Sequence, residues 1–123
     1  MNKASILCDT NLFAYFFEGY KEAGKIINLY NIVTSSVTYI EVLSNKKIPL
    51  TRWNLMKDFM QTLTIIETNP FINNIAIDFR LRYSVDTPDA IIAATAKYLN
   101  IKLATADKEF FKIKEIEIIP FTK

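Results

Sequence analysis

The sequence predicts an α/β protein, a three-layer α/β/α sandwich around a central, mainly parallel sheet of about five strands. Three observations carry this. Short apolar or β-branched runs recur along the chain. Each is followed by a segment of helical period, and alternation of this kind implies parallel pairing through crossover helices. With 50% hydrophobic residues, 2 glycines and 4 prolines in 123 residues, nothing marks a linker, a repeat or a disordered tail, so residues 1–123 are read as one domain.

The elements follow in order. ASILC at 4–8 is a buried strand ending at Asp9, and Asp-Thr-Asn then opens the helix LFAYFF. KEAGKIINLY at 21–30 is helical in period, and NIVTSS at 31–36 is a second strand. Ser36 is a suitable N-cap for the helix VTYIEVLSNKK, and Pro49 starts a further helix, LTRWNLMKDFMQT. LTIIET at 63–68 is the third strand, stopped by Asn69-Pro70, with a helix from 71 to 83 after it. Thr87 as N-cap, Pro88 at the first helical position and Asp89 in the first turn open AIIAATAKYL. IKLAT is the fourth strand and Asp107 to Phe111 a short helical turn. IEIIPF is the fifth strand, and its Pro120 suggests a sheet edge.

Composition narrows the chemistry. A net charge of +2 identifies no partner. The absence of histidine removes Ser-His-Asp, Cys-His and imidazole acid/base schemes together. Cys8 is alone, so it has no disulfide partner and reads as a small hydrophobe. The N-terminal stretch is unlike a signal peptide and no segment approaches ~18 uncharged apolar residues, so a soluble, cytoplasmic protein without a membrane segment is expected. Any catalysis falls to carboxylates, Lys, Tyr or a metal.

In parallel sheets the ligand crevice lies beyond the carboxyl ends of the strands. That rule sets Asp9 and Asp107, each just after a strand, on one rim, within reach of the helix that begins near Asp89. Each acid alone has an ordinary reading: Asp9 and Asp107 as helix caps, Asp89 as a complement to the helix dipole and Glu41 as part of a solvated face. Glu41 lies in the apolar stretch VTYIEVL, on a face with Val37 and Ile40, and is expected to point to the interior or a cleft. Gathered on one rim, such acids repel one another unless a divalent cation neutralises them, and oxygen ligands select Mg²⁺ or Mn²⁺. An ion held by few protein oxygens keeps waters, one of which it can activate against a phosphodiester.

Four motifs, ILCDTN at 6–11, SSVTYIEVL at 35–43, TPDAIIAATAKYLNIKLAT at 87–105 and ADKEFF at 106–111, give the chain its resemblance to a known family. It resembles the PIN-domain nucleases, most nearly the VapC-type toxins of bacterial VapBC toxin-antitoxin systems. The resemblance implies an Mg²⁺- or Mn²⁺-dependent endoribonuclease with Asp9, Glu41, Asp89 and Asp107 as its catalytic, metal-binding acids. Asp9 would touch the ion directly and Asp89 and Asp107 through water, while Glu41 would hold a second ion or orient the attacking water. Thr10, Asn11 and Thr105 would be polar neighbours. Glu109 is an alternative fourth acid, and Asp86 reads as a loop residue.

The resemblance further implies an RNA substrate, a cognate antitoxin and a homodimer. The alternatives are a stand-alone PIN nuclease acting in RNA processing or on DNA, and a catalytically silent RNA- or protein-binding module. Lys21, Lys25, Lys46, Lys47, Arg52, Arg80 and Arg82 are candidates for a phosphate path. Tyr39, Ile40, Leu43, Leu50, Trp53, Leu55, Met56, Phe59 and Met60 are an apolar supply for an antitoxin groove or for the core.

Overall fold

Every strand in the sheet runs parallel to its neighbours, so each is reached by a crossover and helices cover both faces. The structure is a computed structural model that describes residues 3–122. Its strands are β1 (Ser5–Cys8), β2 (Asn31–Ser35), β3 (Thr64–Ile66), β4 (Lys102–Thr105) and β5 (Ile118–Pro120), in the order β3-β2-β1-β4-β5. The expected sandwich is thus present, with a sheet parallel throughout its described length. Pro120 does lie in an edge strand, where its missing N–H breaks no inner ladder.

The alternation of side chains divides the core in two. Leu7, Val33 and Leu103 face one side, against α5 (Pro70–Tyr83), α6 (Thr87–Leu99) and Phe110 of a 3-10 turn at Lys108–Lys112. Ile6, Cys8, Ile32 and Ala104 face the other, against α1 (Thr10–Phe17), α2 (Lys21–Leu29), α4 (Leu50–Gln61) and Val42 of α3 (Ser36–Leu43). On α6, Ala90, Ala93, Ala94 and Ala96 are fully buried. These small residues let α5 and the sheet approach its axis closely, which carries the N-terminus of α6 to the end of the central strands.

Several boundaries move. The cap of α3 is Ser35, whose hydroxyl accepts from the Val37 N–H at 3.1 Å, rather than Ser36. The cap of α6 is Asp86 rather than Thr87; Asp86 is the expected loop residue before the helix, and it also caps it. The third strand shrinks to Thr64–Ile66, and α3 stops at Leu43 instead of continuing through Ser44-Asn45-Lys46-Lys47. Helix α6 ends where Asn100 turns left-handed, at φ 55°, a conformation asparagine tolerates better than most residues.

The apolar supply of α3 and α4 is mostly core. Met56 and Met60 are buried, Tyr39, Leu43, Trp53 and Phe59 are half-buried, and only Ile40, Leu50 and Leu55 are exposed. No described helix is long and apolar enough to cross a membrane.

The order of the strands places the site. From β1 the chain builds outward through β2 to β3, then crosses back by way of α5 and α6 to lay β4 on the other side of β1. Connections therefore diverge between the carboxyl ends of β1 and β4, which is the switch point where open parallel sheets leave a crevice.

Candidate active site

Asp9 follows β1 directly and sits in that crevice, only 3% exposed. It is also the N-cap of α1. Its Oδ1 accepts from the Leu12 N–H at 3.0 Å, and its Oδ2 accepts from the Thr105 hydroxyl at 2.5 Å. Thr105 ends β4 and is fully buried, and its oxygen in turn accepts from the Asp107 N–H at 3.0 Å. The capping reading and the site reading of Asp9 are therefore compatible, because one carboxylate serves the helix and still lies on the crevice wall.

Glu41 and Asp107 come in from either side. Glu41 of α3 is exposed and lines the cleft rather than the interior, the second of its two expected positions, and its Oε1 accepts from the Thr10 hydroxyl at 2.9 Å, which ties it beside Asp9. Asp107 is half-buried, caps the 3-10 turn and accepts from the Glu109 N–H at 2.9 Å. Asp89, in the first turn of α6, donates its backbone N–H to Asp86 Oδ1 at 3.2 Å. Asp9, Glu41, Asp89 and Asp107 line one cavity of about 180 Å³ with Thr10 and Asn11, against the apolar side chains of Ile92 and Phe110.

Glu109 does not line this cavity. It is exposed and pairs with Lys112 at 3.2 Å. Sequence reasoning missed Asp86, Ile92 and Phe110. The last two show only a core periodicity, and Asp86 was masked by the Thr-Pro pair after it.

Electrostatics follow from burial first and from the crowding of the acids second. Among the described residues no ion pair involves any of the four acids. Burial pushes the Asp9 carboxyl up to about 6; the bonds from Thr105 and Leu12 oppose this, and the charges of Asp107 and Glu41 add to it. Burial likewise raises Asp89 to about 7, with Asp86, Asp107 and Glu41 contributing repulsion. The Cys8 thiol is raised far above its ordinary value by burial, then by Asp9, which leaves it inert.

The donor set is all oxygen and anionic, which fits a hard divalent cation. Among the described residues no three Asp, Glu or Cys side chains are grouped closely enough to ligate one ion together. The fit is therefore to an ion held by few direct protein oxygens and otherwise hydrated, a form Mg²⁺ favours.

The basic residues are dispersed. Arg82 is committed to Asp78 and Glu115, Lys25 to Glu22, and Arg80 donates to the Val85 carbonyl at 3.2 Å. Lys47 and Arg52 border a groove that shares Thr10 and Glu41 with the acid cavity.

A parallel five-stranded sheet with a ring of acids at its switch point defines a class, and residues 6–116 match the family model of the PIN domain. This chain belongs to the PIN-domain family. It is 46% identical over 61 residues to Ribonuclease VapC6 of Methanocaldococcus jannaschii, a match that takes in 49% of this chain and 40% of that protein. The chain thus matches less than half the length of that relative. Among solved structures it is similar to a toxin-antitoxin complex from Klebsiella pneumoniae, with TM-score 0.82 and 26% identity over 93% of this chain and 95% of that one. It also shares the fold of VapBC2 from Rickettsia felis bound to a DNA fragment from their promoter, with TM-score 0.84 and 18% identity over 96% and 99% of the two chains.

The raised carboxyls set a pH dependence. Asp9 and Asp89 bind protons more tightly folded than unfolded, so their contribution to stability is complete below the ordinary value of 3.8 and is lost as pH rises through about 6 for Asp9 and about 7 for Asp89. Asp9→Asn removes one charge, and its side-chain oxygen can still accept from Leu12. In chelating buffer its melting temperature should therefore equal or exceed wild type at pH ~8, with the advantage vanishing near pH ~4. A variant well below wild type at pH ~8 would show that Asp9 serves the fold alone.

Proposed function

We propose that this chain is a metal-dependent endoribonuclease that hydrolyses RNA phosphodiester bonds in the cytoplasm, as the toxin of a type II toxin-antitoxin pair. The observation that carries the nuclease reading is the convergence of four acids, unpaired with any described cation, on one cavity at the switch point. The relative named a ribonuclease and the similar toxin-antitoxin complex support the toxin.

Asp9, Glu41, Asp89 and Asp107 would hold Mg²⁺ or Mn²⁺. When bound, such an ion supplies a polarised water and positive charge against the phosphodiester. The chain's own groups do the rest. The Thr105 hydroxyl and the Leu12 N–H fix the orientation of the Asp9 carboxylate, so it presents its remaining lone pairs without reorganising. Glu41 has one oxygen engaged by Thr10, which leaves Oε2 to accept from the attacking water. Asn11 lies on the same wall, where its amide would donate to a phosphate oxygen. Ile92 and Phe110 add buried apolar side chains to the cavity lining. In-line attack of water would leave a 5′-phosphate and a 3′-hydroxyl.

Cleavage of cellular RNA should vanish with EDTA and return with Mg²⁺ or Mn²⁺, while Asp9→Asn and Asp89→Asn should fold and not cut. Asp107→Asn should cost more activity than Glu109→Gln, because only Asp107 lines the cavity. Cleavage that survives exhaustive chelation, or the reverse ranking, contradicts this assignment of the acids.

The toxin role requires restraint by a partner. Ile40, Leu50 and Leu55 are the exposed apolar side chains of α3 and α4, and an amphipathic antitoxin helix would cover them. A homodimer is part of the same reading. Co-expression with the product of the gene directly upstream should give a co-purifying complex that no longer cleaves RNA. An active protein that cells tolerate without any partner would instead make this a stand-alone nuclease.

A further inference from the structure

We propose that the groove between α1, α3 and α4 receives a single unpaired base of the RNA, adjacent to the phosphodiester at the acids. The inference rests on the ribonuclease reading above and adds to it where the substrate is gripped.

The groove has a volume of about 330 Å³ and shares two wall residues, Thr10 and Glu41, with the acid cavity. A nucleotide chain whose phosphate lies at the acids therefore places a neighbouring residue in the groove. Its walls are apolar: Ala14 and Phe17 from α1, Val42 from α3, Ile48 from the loop, and Met56 from α4. Apolar and aromatic walls suit the faces of a base, which single-stranded RNA offers and duplex RNA conceals.

The rim is polar and of mixed charge. Lys47 and Arg52 supply the cations, next to a cavity whose walls are acidic, so the flanking phosphates of a bound strand have partners that the acids do not provide. Glu18 supplies an acceptor. Asn45 supplies a donor, because its Oδ1 is taken by the Lys47 N–H at 3.0 Å and its amide N–H₂ is left to donate. A carboxylate and an amide at the mouth can read the polar edge of a base whose faces lie between the walls.

The groove is also preformed. Arg52 Nη2 donates to the Phe17 carbonyl at 2.7 Å, tying the start of α4 to the end of α1. Trp53 Nε1 donates to the Leu43 carbonyl at 2.7 Å, tying α4 to α3. The Phe17 ring is held edge-on against Phe59, with centroids 5.6 Å apart.

Size separates the two occupants that a toxin would meet. A helix, about 10 Å across with its side chains, would lie over a groove of this volume rather than inside it, since about 330 Å³ is at the small end of ligand pockets. One base with its sugar fits, and of an antitoxin only a side chain would.

Ala14 is exposed at the groove wall, so Ala14→Trp fills the groove without entering the core. The test maps the cut ends of cellular RNA and measures kcat/KM on short single-stranded oligoribonucleotides, for wild type and Ala14→Trp. Wild type should favour one or two bases at a fixed position beside the cut. Ala14→Trp should lose that preference and about ten-fold or more of kcat/KM, the scale of one stacked base. Its Mn²⁺-induced rise in melting temperature should match wild type, showing that fold and acids are intact. Wild-type cleavage without base preference, or a variant that keeps preference and rate, would overturn the proposal. So would a variant that keeps both and loses only antitoxin binding, since the groove would then serve the antitoxin. If wild type does not cleave with metal, the ribonuclease reading fails, and cross-linking of a 4-thiouridine oligomer to peptides containing Phe17 or Met56 still decides whether the groove takes a base.

Discussion

The carboxylate of Asp9 is buried at the end of the central strand, and the rest of the site depends on how that charge is accommodated. Two neutral donors hold it, the Leu12 N–H and the Thr105 hydroxyl, and no described cation pairs with it. They do not offset burial. Its rise from 3.8 to about 6 corresponds to about 3 kcal/mol favouring the neutral form. A fold selected for stability alone would place an asparagine or an apolar residue here. We propose that the charge is kept against that cost because it binds a cation.

The architecture serves this one position. A crevice opens where the connections leaving two neighbouring strands run in opposite directions, and β1 and β4 are that pair, the chain passing from β1 toward β2 and from β4 toward β5. The alanines of α6 bring Asp89 to the same crevice, and Thr10 holds Glu41 there from α3. Thr105 links the halves, since its single oxygen donates to Asp9 and accepts from the Asp107 backbone. Four elements from distant parts of the chain are thereby fixed around about 180 Å³.

What could be read from the sequence, and what could not, has a physical basis. Asp9 and Asp107 were legible as rim residues because each directly follows a strand and parallel sheets put ligands at strand ends. The layered fold was legible from alternating β-branched runs and helical periods. Helix starts were off by one at Ser35 and Asp86, because Ser35-Ser36 and Asp86-Thr87 each offer two capping side chains in a row and only the backbone turn decides between them. Glu41 lines a cleft, one of the two positions its apolar stretch allows, but it is not interior: its neighbour Ile40 is itself exposed, at 61%, so the periodicity of α3 does not mark a core face. The grouping of the acids around one cavity depends on crossovers that single-residue reasoning cannot supply.

We propose that the acids are a cation site and that a divalent ion relieves their mutual repulsion. A ligand that binds only the native state raises its melting temperature by mass action. The most direct test is the melting temperature of wild type and Asp9→Asn titrated with Mn²⁺ at pH ~8 and pH ~5, where protons compete for the same oxygens. The account predicts a saturable rise for wild type that is larger at the higher pH and absent or much weaker in Asp9→Asn. Equal shifts in the two proteins, or none in wild type at either pH, would contradict it.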